Sequence, residues 1–165
     1  MRNIEYNKFD YITTINAFVS SKTQKIRFYH NAKKPGSSFG KGYNSNDSSD
    51  LVEFDVNTIK IDDVINDLKN IVIKIDVEGA EYVILSDIAS SKNISEVIEI
   101  TAEVTASSQA DLNNLNNVMN DFHKLGFESR FISNYSIMAL RNASSQGHLQ
   151  LVLFRNIYEI VPTPH

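Results

Sequence analysis

The stretch from Ile71 to Leu85 constrains the fold more than any other. It reads Ile-Val-Ile-Lys-Ile-Asp-Val-Glu-Gly-Ala-Glu-Tyr-Val-Ile-Leu. Its first half is a short, β-branched apolar run, the pattern expected of a strand covered on both faces. From Ala80 the spacing becomes helical, with Ala80, Val83, Ile84 and Ile88 on one face. Asp76, Glu78, Gly79 and Glu81 sit at the junction. A parallel strand that ends in carboxylates and a glycine before a helix belongs to an α/β sheet, and ligands bind at the carboxyl ends of such strands. Gly79 suits the tight turn between strand and helix.

The flanking sequence builds the rest of such a sheet. Tyr11–Ser20 and Lys25–Tyr29 are rich in β-formers and predict two strands joined as a hairpin. Residues 30–50 are polar and rich in Gly, Ser, Asn and Lys, and read as a flexible loop. The loop's Gly36-Ser37-Ser38-Phe39-Gly40-Lys41-Gly42 is not a phosphate-binding loop. Its glycine spacing is one residue short, and Gly42 stands where a magnesium-binding Ser or Thr belongs. Leu51–Ile61 alternates as a strand, and Asp62-Asp63 then caps a short helix, Val64–Lys69. The central strand is expected over Ile71–Val77 and the next one over Val97–Val104. Between Ser108 and Leu125, Leu112, Leu115, Val118, Met119, Phe122 and Leu125 form an apolar stripe, which predicts a helix capped by Gly126. Phe127–Ser133, Ser136–Arg141 and Leu149–Arg155 predict closing antiparallel strands, and residues 156–165 a loose tail. The 165 residues form one domain with a mixed α/β sheet.

Composition narrows the partners. A net charge of −4 leaves no basic excess to neutralise a phosphate backbone, which argues against nucleic acid. The absence of cysteine excludes disulfides, thiolate nucleophiles and zinc–thiolate centres. No apolar run reaches the length of a membrane span, and the first ten residues have no apolar signal core. The expectation is a cytoplasmic protein that does not bind membranes.

Lys74-Ile75-Asp76-Val77-Glu78-Gly79-Ala80-Glu81, followed by Val83-Ile84-Leu85, resembles the signature of FkbM-type methyltransferases. Thr58-Ile59-Lys60-Ile61-Asp62-Asp63-Val64-Ile65 resembles a second piece of that family at a similar spacing, with Lys60-Ile61 in place of a more usual Thr/Lys-Leu pair. Asn16-Ala17-Phe18-Val19-Ser20 is similar, more loosely, to the strand before it, and Ser37-Ser38 falls where the family often has a Ser pair. The resemblance implies a class I methyltransferase (Rossmann-like) sheet with a C-terminal antiparallel hairpin. It also implies S-adenosylmethionine as methyl donor and a hydroxyl of a sugar or small metabolite as acceptor. One part of the pattern is absent. The six glycines, at 36, 40, 42, 79, 126 and 147, include no Gly-rich turn of the kind that cradles the cofactor. The chain resembles the C-terminal two-thirds of the domain, without its first two strands. The central strand is then expected to be an open edge, available to a second copy or a complementing chain. The alternative to an enzyme is a non-catalytic module that pairs through that edge. A sugar- or nucleotide-binding domain without methyl transfer is a third reading.

Within the resemblance, Asp76 and Glu78 are the catalytic candidates, as general base or as groups that orient the acceptor hydroxyl. Gly79, Glu103 and Asp62 are candidates on the substrate side. Glu103 falls at the carboxyl end of its strand, while Asp62 and Asp63 read more readily as helix caps than as ligands. Glu81, His30 and His148 are weaker candidates, and Lys74 reads as an ion-pair partner or a snorkelling side chain. A divalent metal held by Asp62, Asp76 and Glu78 has no support in the spacing, and no metal site is expected.

Overall fold

The computed structural model describes residues 4, 6–31, 38–40, 51–77, 80–106, 108–132 and 147–155. Among these, the strands form two four-stranded mixed sheets rather than the single sheet expected. The first consists of β1 (Phe18–Val19), β2 (Lys25–Asn31), β3 (Ser38–Gly40) and β4 (Leu51–Ile59), in the order β1-β4-β2-β3. Helix α1 (Ile61–Ile65) leads to β5 (Ile71–Ile75), which is followed by α2 (Glu81–Ala89) and β6 (Val97–Ala106). Helix α3 (Gln109–Lys124), β7 (Phe127–Ile132) and β8 (Gly147–Arg155) complete the described chain. The second sheet has the order β5-β6-β8-β7, with β5 and β6 parallel and the other pairs antiparallel.

The first sheet corrects three expectations. Only Phe18–Val19 of Tyr11–Ser20 is a strand, and it pairs in parallel with Thr58 and Ile59 of β4. The antiparallel partner of β2 is β4, not β1. Side chains explain this choice. Ile26 faces Val56 and Phe28 faces Phe54 across the pair, and the Phe28 ring lies 4.5 Å from that of Phe18 and 5.6 Å from that of Phe54. Such aromatic contacts add to the stabilisation from burial. On the other side Arg27 reaches Glu53 at 2.8 Å and Asp55 at 3.1 Å. Thr58 is buried and satisfied: its Oγ1 accepts from the Gln24 amide at 2.8 Å and donates to the Lys22 carbonyl at 2.5 Å. This ties the turn before β2 to the end of β4. Part of the segment read as loop, Ser38–Gly40, pairs with β2 as a strand.

The short helix begins earlier than expected. Its N-cap is Lys60, and Asp62 and Asp63 lie inside its first turn. They make no cap. Asp63 accepts from Thr23 Oγ1 at 3.0 Å, and Asp62 accepts from Ser91 Oγ. The expected strand Ser136–Arg141 and the tail 156–165 lie outside the described residues.

The core fills one side of the second sheet. Ile71, Ile75, Ile100, Ala102, Val104, Leu149, Leu151 and Leu153 meet Ile84, Leu85 and Ile88 of α2 and Leu115, Val118 and Phe122 of α3. The opposite face carries no helix among the described residues, which overturns the expectation of a β5 covered on both faces. In β5 the isoleucines point inward while Val72 is 62% exposed, and Lys74 is exposed as well. The sequence Ile-Val-Ile-Lys-Ile thus alternates, with Lys74 marking the wet side. Glu99, Thr101, Glu103, Gln150, Glu128 and Arg130 lie in the same register positions across the sheet. This is the composition of a sheet that meets water on one face. Arg130 sits opposite Val152, and its guanidinium lies 4.8 Å from the Phe154 ring, so that Val152 is buried even on this face. Among the described residues β5 has β6 as its one neighbour and stands at the edge of the sheet.

Helix α3 is closed at both ends as its sequence requires. Ser108 Oγ accepts from the Asp111 amide at 3.2 Å. Gly126 lies beyond the C-cap at φ 82°, and its amide donates to the His123 carbonyl. That left-handed conformation favours glycine.

Candidate functional site

The carboxyl ends of β5 and β6 lie side by side because the two strands are parallel. Asp76 follows β5 directly. Its carboxylate accepts from Lys74 Nζ at 2.5 Å, on the helix-free face of the sheet. The Lys74 ammonium is pushed above its ordinary value, chiefly by the hydrogen bond to Asp76, then by that carboxylate's charge, with a smaller contribution from Glu103. Lys74, Asp76 and Glu103 are therefore neighbours. Both partners of the ion pair are well exposed, so water screens it and its contribution to stability is small. It fixes Asp76 in place more than it stabilises the fold.

Glu78 and Gly79 lie outside the described residues. The chain is described again from Ala80, the N-cap of α2, which provides no side-chain cap. Glu81 opens the helix and is only 2% exposed. As a helix-initiating acid it is a weak site candidate from sequence, with its exposure undecided. Packing places it in the core at the positive end of α2, where the helix dipole favours a carboxylate. Its neighbour Tyr82 is half-buried. The Tyr82 hydroxyl is pushed up to about 12, mostly by burial and further by the charges of Asp111 and Glu81. Asp111 belongs to the first turn of α3. Two groups thus stand near the ends of β5 and β6: Asp76 and Glu103 with Lys74 on the helix-free face, and Tyr82 with Glu81 and Asp111 on the helix side. Tyr82 and Asp111 were missed by the sequence reading. The first-turn position of Asp111 after Ser108 was legible, but its proximity to Tyr82 depends on α2 and α3 packing side by side.

Asp62 lies elsewhere. Its partner Ser91 stands beyond the far end of α2, a nine-residue helix about 13 Å long. There Lys60, Asp62, Asp63, Asn66 and Lys92 line an open, charged cavity of about 360 Å³. Asp87 is close by, and burial, aided by the charge of Asp62, raises its carboxyl above the ordinary value against the opposing effect of Lys60. No group of three or more His, Asp or Glu side chains able to hold a metal occurs among the described residues. The side chains of His30 and His148 are outside the description, and His123 is an exposed partner of Ser129 at 3.0 Å.

No helix among the described residues is long and apolar enough to cross a membrane. No curated protein and no solved structure matches the chain. The family model of the methyltransferase FkbM domain matches residues 3–129. That span runs from before β1 into β7 and includes Asp62, Asp76, Glu78, Gly79, Glu81 and Glu103. On this match, which covers well over half of its length, the chain belongs to the FkbM methyltransferase domain family.

Proposed function

We propose that the chain carries the acceptor side of a methyl-transfer site that uses S-adenosylmethionine and methylates a hydroxyl of a sugar or small metabolite. The observation that carries this reading is the family's motif at the end of β5, within a sheet of order β5-β6-β8-β7 and with α2 and α3 on one face. The order corresponds to strands 4-5-7-6 of the class I methyltransferase sheet. On this reading Asp76 and Glu78 hold the acceptor hydroxyl and take its proton, and Glu103 and Gly79 line the acceptor side. Lys74 keeps Asp76 oriented. The contribution of such groups is positioning and proton transfer. We read the protein as cytoplasmic, with no nucleic-acid or membrane partner.

The residues described do not fit the cofactor on their own. Among the described residues no strand neighbours β5 on the side where a donor would rest, and the sequence contains no Gly-rich turn. Transfer by this chain alone is accordingly impaired. Calorimetry with S-adenosylmethionine tests this: no micromolar binding is expected, and tight binding would refute this reading of the site. The catalytic assignment is tested by measuring transfer of a labelled methyl group from S-adenosylmethionine in a form of the protein that supports it. Asp76→Asn should then lower kcat by roughly 10²–10⁴-fold with little change in KM. An unchanged kcat removes Asp76 from the chemistry.

A second reading rests on the open edge of β5 and the exposed Val72 beside it. A non-catalytic module would use that edge to add a strand from a second copy or a complementing chain.

A further inference from the structure

Ahead of β1 runs a segment that the fold leaves unused. Tyr11, Ile12, Thr13, Thr14 and Ile15 are β-formers throughout and carry no charge. Tyr11 to Asn16 are all exposed, with Tyr11 at 79% and Ile15 at 52%. The Tyr11 ring leans on that of Phe9, 5.7 Å away, which is itself exposed. Residues 12–16 have no regular structure, and among the described residues their backbone groups make no hydrogen bond to other backbone. Strand-forming residues gain little from their propensity until a neighbouring strand pairs with them.

The second sheet presents the complementary deficit. β5 stands at its edge, so one row of β5 N–H and C=O groups has no strand partner among the described residues. A lysine such as Lys74 ordinarily guards an edge of this kind. Here its charge is matched by Asp76, and Val72 beside it is exposed and apolar. β5 has five residues, Ile71–Ile75, as does the run Tyr11–Ile15. Each spans about 17 Å when extended. A neutral strand thus matches an edge whose charges cancel, and no like-charge repulsion opposes their pairing. The single chain does not fill its own edge, because its segment stands in water. Two copies can fill both edges. Exchange of the same segment between them uses both arms and closes the assembly as a two-fold dimer.

We propose that the chain forms a closed dimer in which Tyr11–Ile15 of each copy adds as a strand to β5 of the other. This deepens the second reading above, that the β5 edge is a pairing surface, and rests on it; methyl transfer is not required. Sedimentation over a concentration series should show a reversible monomer–dimer equilibrium. Thr13→Pro removes a backbone donor that the single chain does not use. It should raise the dimer Kd about tenfold or more and leave the urea midpoint of the dilute monomer unchanged. Ile132→Lys, on the exposed part of β7 at the opposite edge of the sheet, should leave Kd unchanged. The chain has no cysteine, so introduced ones report contacts without ambiguity. Proteins with a single cysteine at one of positions 11–15, each mixed with isotope-labelled Val72→Cys and oxidised, should form mixed disulfides at a preferred position, since adjacent strands lie within disulfide reach.

A monomer at every concentration overturns both the dimer and the pairing surface. A dimer weakened by Val72→Lys but not by Thr13→Pro keeps the edge as a pairing surface and overturns the segment as its occupant. Disulfides formed chiefly between two Val72→Cys copies, or within one chain carrying both cysteines, do the same. A lower urea midpoint in Thr13→Pro shows that the segment already has a partner in the single chain and overturns the exchange. Weakening by Ile132→Lys equal to that by Thr13→Pro overturns it as well.

Discussion

Tyr82 is the residue whose environment makes the sharpest solution prediction. Its hydroxyl is raised from 10.0 to about 12, chiefly by burial. The folded state therefore binds this proton more tightly than the unfolded state, and the stabilisation it gives is lost as pH rises from 10.0 to about 12. Urea unfolding across that interval should show a steeper fall in stability for the wild type than for Tyr82→Phe; identical slopes would remove the effect. Asp87 follows the same sign at acidic pH. Its raised carboxyl makes the native state favour the neutral form, so its contribution falls as pH rises through and above the usual carboxylate range. Asp87→Asn should flatten that part of the stability profile, and an unchanged profile would show the group to be solvated. Glu81 shows where residue-level reasoning ended. A first-turn acid reads the same in sequence whether it faces water or the core, and only the packing of α2 against the sheet buries it.

At the level of elements, α3 was the most legible. Its stripe and its Gly126 terminator are local features that the structure shows, and the structure adds Ser108 as its N-cap. Ser108→Ala should cost about 1 kcal/mol through the lost cap. Gly126→Ala should cost about 1–2 kcal/mol, because an L-residue must adopt φ 82°. Urea midpoints at unchanged m-values measure both. A loss below about 0.3 kcal/mol at either site would show that the helix end is held by tertiary contacts instead. The N-terminal strands were less legible. Tyr11–Ser20 has strand composition throughout, yet only Phe18 and Val19 find a partner. Strand formation depends on a neighbour, and the neighbour of β1 comes from forty residues later, at Thr58 and Ile59.

For the molecule as a whole, the consequential feature is a sheet that, among the described residues, carries helices on one side and has β5 at its edge. An edge strand with an exposed apolar side chain is a template for association. Light scattering over a concentration series should show reversible association, and Val72→Lys, which places a charge on that strand, should weaken it. A monomer at every concentration would count against both the edge argument and the interaction-module reading. The core itself is conventional. Leu85, fully buried between α2 and the sheet, should cost about 2–5 kcal/mol on replacement by alanine.

By itself the sequence determined the order of strands and helices from β4 to β7, the ends of α3, the family, and Asp76 at the end of a strand. These are matters of periodicity, capping and short motifs, which act over a few residues. Tertiary structure decided the rest: two sheets in place of one, a helix-free face on β5, the burial of Glu81, and the separation of Asp62 from Asp76. It also brought Tyr82 beside Asp111. Each of these depends on which distant segments meet, and side-chain packing selects among pairings that local propensity leaves equivalent.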